Sequence, residues 1–104
     1  MEVIWTERAL EAIARIGEHI AKDNPQAAAN WVAHLVHRAE DAAIIPLLGR
    51  TVPEFARDDI REIIVRKYRI IYQVTERIAY VLFVFEGHRL LHRSDIEPVE
   101  PEDE

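Results

Sequence analysis

The chain has 104 residues, enough for one domain with a real core and too few for a second. It contains no cysteine, which excludes disulfides, thiolate metal sites and cysteine nucleophiles. The net charge of -6 divides unevenly: all 13 Lys and Arg precede residue 95, whereas 6 of the 19 acids lie within 95–104, so the domain itself is neutral and no direct DNA binding is expected of it.

The opening MEVIWTERAL carries charges at positions 2, 7 and 8 and no apolar run long enough for a signal peptide or a membrane span. A cytoplasmic protein without a membrane partner is expected. Glu2 to Trp5 reads as a short strand, and Thr6 is a good N-cap for a helix beginning at Glu7. From Glu7 to about Lys22, Leu10, Ile13, Ile16 and Ile20 keep the spacing of an amphipathic helix, with Gly17 beside them. Asp23-Asn24-Pro25 breaks and restarts the chain, since Asn suits the cap and Pro the first helical position. The second helix runs to about Ala43 and should bury Ala28, Trp31, Val32, Leu35, Ala39 and Ala42, its alanines permitting an antiparallel hairpin with the first helix.

Pro46, Gly49 and Pro53 mark a loop, followed by three β-rich runs, Ile60 to Arg66, Tyr68 to Thr75 and Ile78 to Phe85. Glu76-Arg77 separates the last two at hairpin length. Ile78 to Phe85 is apolar at every position, as a strand covered on both faces would be. One face must meet the helix hairpin. The other either forms an apolar groove for a partner or is covered by Leu90 to Ile96 folding back. The expected fold is α+β in the order β-α-α-β-β-β, one domain over 1–94. The tail from Asp95, DIEPVEPEDE, has two prolines, repeated acids and two aliphatics, and reads as a disordered, solvated end.

Arg61 and Arg69 on neighbouring strands would make one cationic spot suited to phosphate or carboxylate. Alternatively they pair with Glu54, Asp58, Asp59 and Glu62. His88 and Arg89 follow the apolar strand at its exposed end, where a histidine with an ordinary pKa of about 6.5 would serve as a general acid. His19, His34, His37 and His92 show no metal-ligand spacing with carboxylates, and neither metal nor cofactor is expected.

The ordered set of EVIWT, a second helix opening at DNPQAA, P-x-x-GR from Pro46 to Arg50, VPE, IRE, YRIIY and GHR resembles the RelE/ParE family of bacterial toxins, the toxic partners of type II toxin–antitoxin pairs. The likeness extends to about Arg93. In the branch that cleaves mRNA on the ribosome, it implies Glu54 as base, Arg69 on the phosphate and His88 as acid. Here, however, Arg89 stands where that pattern has Tyr, and no aromatic follows Phe85 to stack on a base. The ParE-like branch has no catalytic set and poisons DNA gyrase by protein contact. LGR, IRE, YRIIY and the terminal HR look closer to that branch as a whole. The resemblance therefore implies a ParE-like toxin with Arg61, Arg69, His88 and Arg89 as target contacts. It also implies a cognate antitoxin wrapped around the toxin in a hetero-oligomer, with Leu10, Ile13, Trp31, Leu35, Tyr80 and Leu82 as candidate contacts. An mRNA endonuclease, or a degenerate toxin that only binds its partner, is the alternative.

Overall fold

The computed structural model describes residues 1–87, 89 and 91–100. Its elements are β1 (Glu2–Trp5), α1 (Glu7–Ala21), α2 (Pro25–Ile44), β2 (Arg50–Thr51), β3 (Ile60–Val65), β4 (Tyr68–Val74), β5 (Ile78–Glu86) and a 3₁₀ turn at Arg93–Asp95. Both helices start where the sequence places their caps. Thr6 Oγ1 accepts from the Ala9 N–H at 3.2 Å, and Asn24 Oδ1 accepts from the Ala27 N–H at 3.1 Å, with Pro25 at the first helical position. Gly17 lets the hairpin close, since a Cβ there would lie 3.1 Å from Val32 Cγ2.

The strands form one mixed sheet in the order β1-β5-β4-β3-β2, with β1 parallel to β5 and the other neighbours antiparallel. The order β-α-α-β-β-β holds, and β2 is an addition that two residues of alternation could not announce. It exists because Arg50 and Thr51 lie opposite Glu62 and Arg61. The hairpin covers one face of the sheet, where Leu35 and Ala39 pack on Ile63, Ile70, Tyr72 and Val81. Each Å² of apolar surface buried in this layer contributes about 25 cal/mol to stability.

The second face carries its own buried cluster of Val52, Phe55, Ile71, Leu82, Leu91 and Ile96. A register shift between Ile71 and Tyr72 places Leu82 as the extra residue of β5, a bulge that turns it into this cluster. Of the two alternatives for this face the fold-back cover is the one seen: Leu91 and Ile96, together with the Val52–Phe55 loop, provide it. The solvated end expected from Asp95 also differs from what is seen, because its two aliphatics have places to go. Ile96 is buried, and Val99 exchanges two hydrogen bonds with the buried amide of Gln73, its N–H donating to Oε1 at 2.8 Å and its carbonyl accepting from Nε2 at 3.1 Å. Arg8 Nη1 adds a bond to the Ser94 carbonyl at 2.7 Å. The expected boundary after residue 94 therefore falls inside a packed segment. Among the described residues no helix is long and apolar enough to cross a membrane.

Candidate functional site

Arg69 lies on β4 between Ile64 of β3 and Phe85 of β5, so its side chain points to the second face. Glu62 precedes Ile64 by two residues and shares that face. Only 8% of Arg69 is exposed, and the Glu62 side chain is fully buried. Arg69 Nε donates to Glu62 Oε1 at 2.5 Å, and its two terminal nitrogens donate to the two oxygens of Glu54 at 3.0 and 3.1 Å. The guanidinium also sits 5.0 Å from the centre of the Phe85 ring. Arg50 Nε completes the cluster by donating to Glu62 Oε2. Two guanidiniums thus face two carboxylates, and the group is neutral.

The protonation states follow from these bonds. The hydrogen bond from Arg69 holds the Glu54 carboxyl below its ordinary value, against the opposing effect of desolvation. For Arg69, burial works against the charge, yet the bonds to Glu54 and Glu62 outweigh it and raise the pKa. Three of the five guanidinium donors are committed to carboxylates. Glu54 occupies both terminal nitrogens of Arg69, the pair a phosphate would use.

Arg61 does not join Arg69. It pairs in register with Tyr72, one of the residues packed under the helices, whereas Arg69 pairs with Ile64, so the two arginines leave opposite faces of the sheet. This corrects the single cationic spot: residues on adjacent strands meet only when register gives them the same parity. Arg61 instead donates to the backbone carbonyls of Asp58 at 3.0 Å and Gly49 at 2.9 Å. Arg89 is on the surface, donating to Asp95 Oδ1 at 3.0 Å, with its guanidinium 5.6 and 5.7 Å from the rings of Phe83 and Phe85. His88 lies outside the described residues. Of the candidate partner contacts, Leu35, Leu82 and Ile13 are interior at 0%, 1% and 7% exposure, Trp31 and Tyr80 are half-buried, and Leu10 is open to solvent. Those interior positions follow from the hairpin packing on one face of the sheet and the C-terminal cover on the other.

For Arg69 the alternative of pairing with Glu54 and Glu62 holds, and alternation with Ile60 and Ile64 puts Glu62 on their face. Two further residues shape the site without a signal in the sequence. Gln73, 2% exposed, anchors Val99 through the paired bonds of its amide. Tyr72 ties down the loop, its hydroxyl donating to the Pro46 carbonyl at 2.8 Å and accepting from the Gly49 N–H at 2.9 Å. Gly49 is required for this approach, because a Cβ there would lie 2.7 Å from the same hydroxyl. Among the described residues no group of three or more His, Asp or Glu is placed to hold a metal ion.

A helix hairpin on a five-stranded mixed sheet, reached in the order β-α-α-β-β-β-β, is a small α+β architecture. The chain belongs to the ParE toxin family: residues 3–91 match the family described as the ParE toxin of the type II toxin–antitoxin system parDE. A solved structure titled as the chromosomal ParDE toxin–antitoxin system from P. aeruginosa superimposes with a TM-score of 0.70 at 17% identity, covering 83% of this chain and 95% of that one. At that identity the likeness speaks for the fold. No curated protein matches the chain by sequence.

Proposed function

We propose that this chain is a cytoplasmic toxin that stops DNA replication by protein contact with DNA gyrase, and that a cognate antitoxin neutralises it in a hetero-oligomer. The observation that carries the reading is the occupancy of Arg69. Hydrolysis of an RNA backbone by a Glu–Arg–His set needs a guanidinium turned toward the scissile phosphate. Here the guanidinium is held by Glu54 and Glu62 and is 8% exposed. Arg89 and the half-buried Arg61 supply the cationic contacts for a protein target instead. Family membership supports the antitoxin as partner.

The deciding experiment induces the chain without its antitoxin and follows DNA synthesis alongside primer extension on abundant transcripts. Arrested replication with DNA damage and intact transcripts is expected. Cleavage of ribosome-bound transcripts at codon boundaries, abolished by Glu54→Ala, would replace this reading with the endonuclease.

A further inference from the structure

The family match ends at residue 91, and the residues after it fold back onto arginines of the domain. Three consecutive residues, Asp95-Ile96-Glu97, link Arg89, just after β5, with Arg8 of α1. Arg89 Nη2 donates to Asp95 Oδ1 at 3.0 Å, and Arg8 Nη2 stands 3.9 Å from Glu97 Oε2. Between the two acids, Ile96 is 4% exposed, in the cluster that holds Leu82 and Phe85. The cations are not used up by this contact, since the side chains of Arg8 and Arg89 remain 43% and 48% exposed. Arg15, seven residues after Arg8 and so on the same stripe of α1, has no carboxylate within ion-pair distance among the described residues. It joins Ile16, Phe83 and Arg89 around an open cavity of about 250 Å³ beside β5. Glu86, the acid in that lining, pairs with Lys67 at 3.3 Å. Along this edge β1 pairs with β5 only from Ile78 to Val81, which leaves β5 beyond Val81 without a partner strand there among the described residues.

We propose that this arginine face is where the chain meets its protein target, that it takes a segment with an acid-aliphatic-acid pattern, and that Asp95-Ile96-Glu97 occupies it as a built-in substitute until the target displaces it. This rests on the reading of the chain as a toxin that acts by contact with gyrase, and it names the chemistry of that contact. The occupant follows from charge and from the substitute itself. Asp95 and Glu97 show which ligand the two guanidiniums accept, and the buried Ile96 shows what fits between them. A target segment of the same pattern gains Arg15 as well, which the chain's own acids leave unpaired. Exposed ion pairs suit a displaceable cover, because each shifts an equilibrium by at most about fivefold. A tethered segment nevertheless competes at a high effective concentration, so the apparent affinity for the target is lowered by the share of chains in which it is seated.

The test measures binding of purified gyrase, and inhibition of its supercoiling, by the full chain as wild type, as the double variant Asp95→Asn with Glu97→Gln, as Arg89→Gln and as Arg15→Gln. The double variant keeps Ile96 and Val99 and removes only the competing charge, so it should bind gyrase more tightly, by up to about thirtyfold. Arg89→Gln breaks one of the same internal pairs yet should weaken binding by about fivefold or more. Arg15→Gln, which touches no internal pair, should weaken it too, and both losses should shrink at high salt. The opposite signs are decisive, because arginines kept only to anchor the C-terminal segment would act in the same direction as its acids. A free peptide of residues 92–100 gives a readout that needs no variant of the chain. At about millimolar concentration it should compete with gyrase for the wild-type protein, and the same peptide with Asp95→Asn and Glu97→Gln should not. Unchanged or weaker gyrase binding by a folded double variant, or no competition by the peptide, would overturn the inference while leaving the gyrase reading intact. A double variant that gains affinity for DNA instead of gyrase would also overturn it, assigning the arginines to phosphate. Failure of the wild-type chain to bind or inhibit gyrase would bring down that reading and the inference with it.

Discussion

Replacing Arg69 with Ala should destabilise the protein severely, which is not what a target-contacting surface arginine would do. The substitution leaves Glu62, whose side chain has 0% exposure, facing only Arg50, itself 60% exposed. Breaking a buried ion pair by removing one partner costs about 3–5 kcal/mol. The low end applies here, because Arg50 remains and Glu54, with 32% of its side chain exposed, can be rehydrated. A loss of about 3 kcal/mol corresponds to a fall in Tm of roughly 12–24 °C for a domain of this size. Urea unfolding followed by circular dichroism would measure it, with Arg69→Met, Glu62→Gln and the double variant closing a cycle. The double variant should recover part of the loss, with a coupling of about 1–3 kcal/mol, since no buried carboxylate is then left unpaired. An Arg69→Ala protein within about 0.5 kcal/mol of wild type, the range of exposed substitutions, would refute the account of the cluster as structural. Toxicity lost in such a stable variant would return Arg69 to the set of target contacts.

Three further outcomes are expected. Gly49→Ala should cost about 1–3 kcal/mol by overpacking, read as a lower melting temperature, because its methyl group would press on the Tyr72 hydroxyl and the Glu62 carbonyl. Glu54's contribution to stability should be present above its ordinary value of 4.5 and be lost as pH falls below it: the folded carboxyl is held lower by Arg69, so the unfolded chain takes up the proton first. Asp59, held below its ordinary 3.8 by Arg57, should extend the loss at still lower pH, and Glu54→Gln should flatten the upper part of a urea-midpoint profile. Deleting residues 92–104 should uncover Ile71, Leu82 and Phe85, with concentration-dependent self-association and faster amide exchange in β4 and β5. A monomeric truncated protein with unchanged exchange would show that the C-terminal segment is a passive cover.

Much of the frame is legible in the residues themselves. Helical spacing, the caps Thr6 and Asn24 and the proline after Asn24 locate the hairpin because these are short-range effects, decided within one turn of chain. The fully apolar run after Arg77 correctly signals a strand with two covered faces. What covers the second face is not local. It depends on Ile96 and Val99 reaching back to Leu82 and Gln73, and two aliphatics in an acidic stretch give little sign of that. The separation of Arg61 from Arg69 has a related cause. Arginines on neighbouring strands share a face only if register allows, and register is set by β3–β4 pairing that a single sequence does not specify. The burial of Arg69 needs carboxylates 7 and 15 residues away, one on a strand and one on a loop whose path is fixed by Tyr72.

The parallel pairing of β1 with β5 also governs when the protein can come into being. Glu2 lies opposite Ile78, so the first strand made has to wait for the last. At about 5–20 residues per second, translation takes roughly 4–15 s to cover that interval, during which the helix hairpin can form from local contacts while β1 has no partner. The sheet cannot close on a chain still missing β5. The nascent chain is therefore structurally immature until synthesis is almost complete.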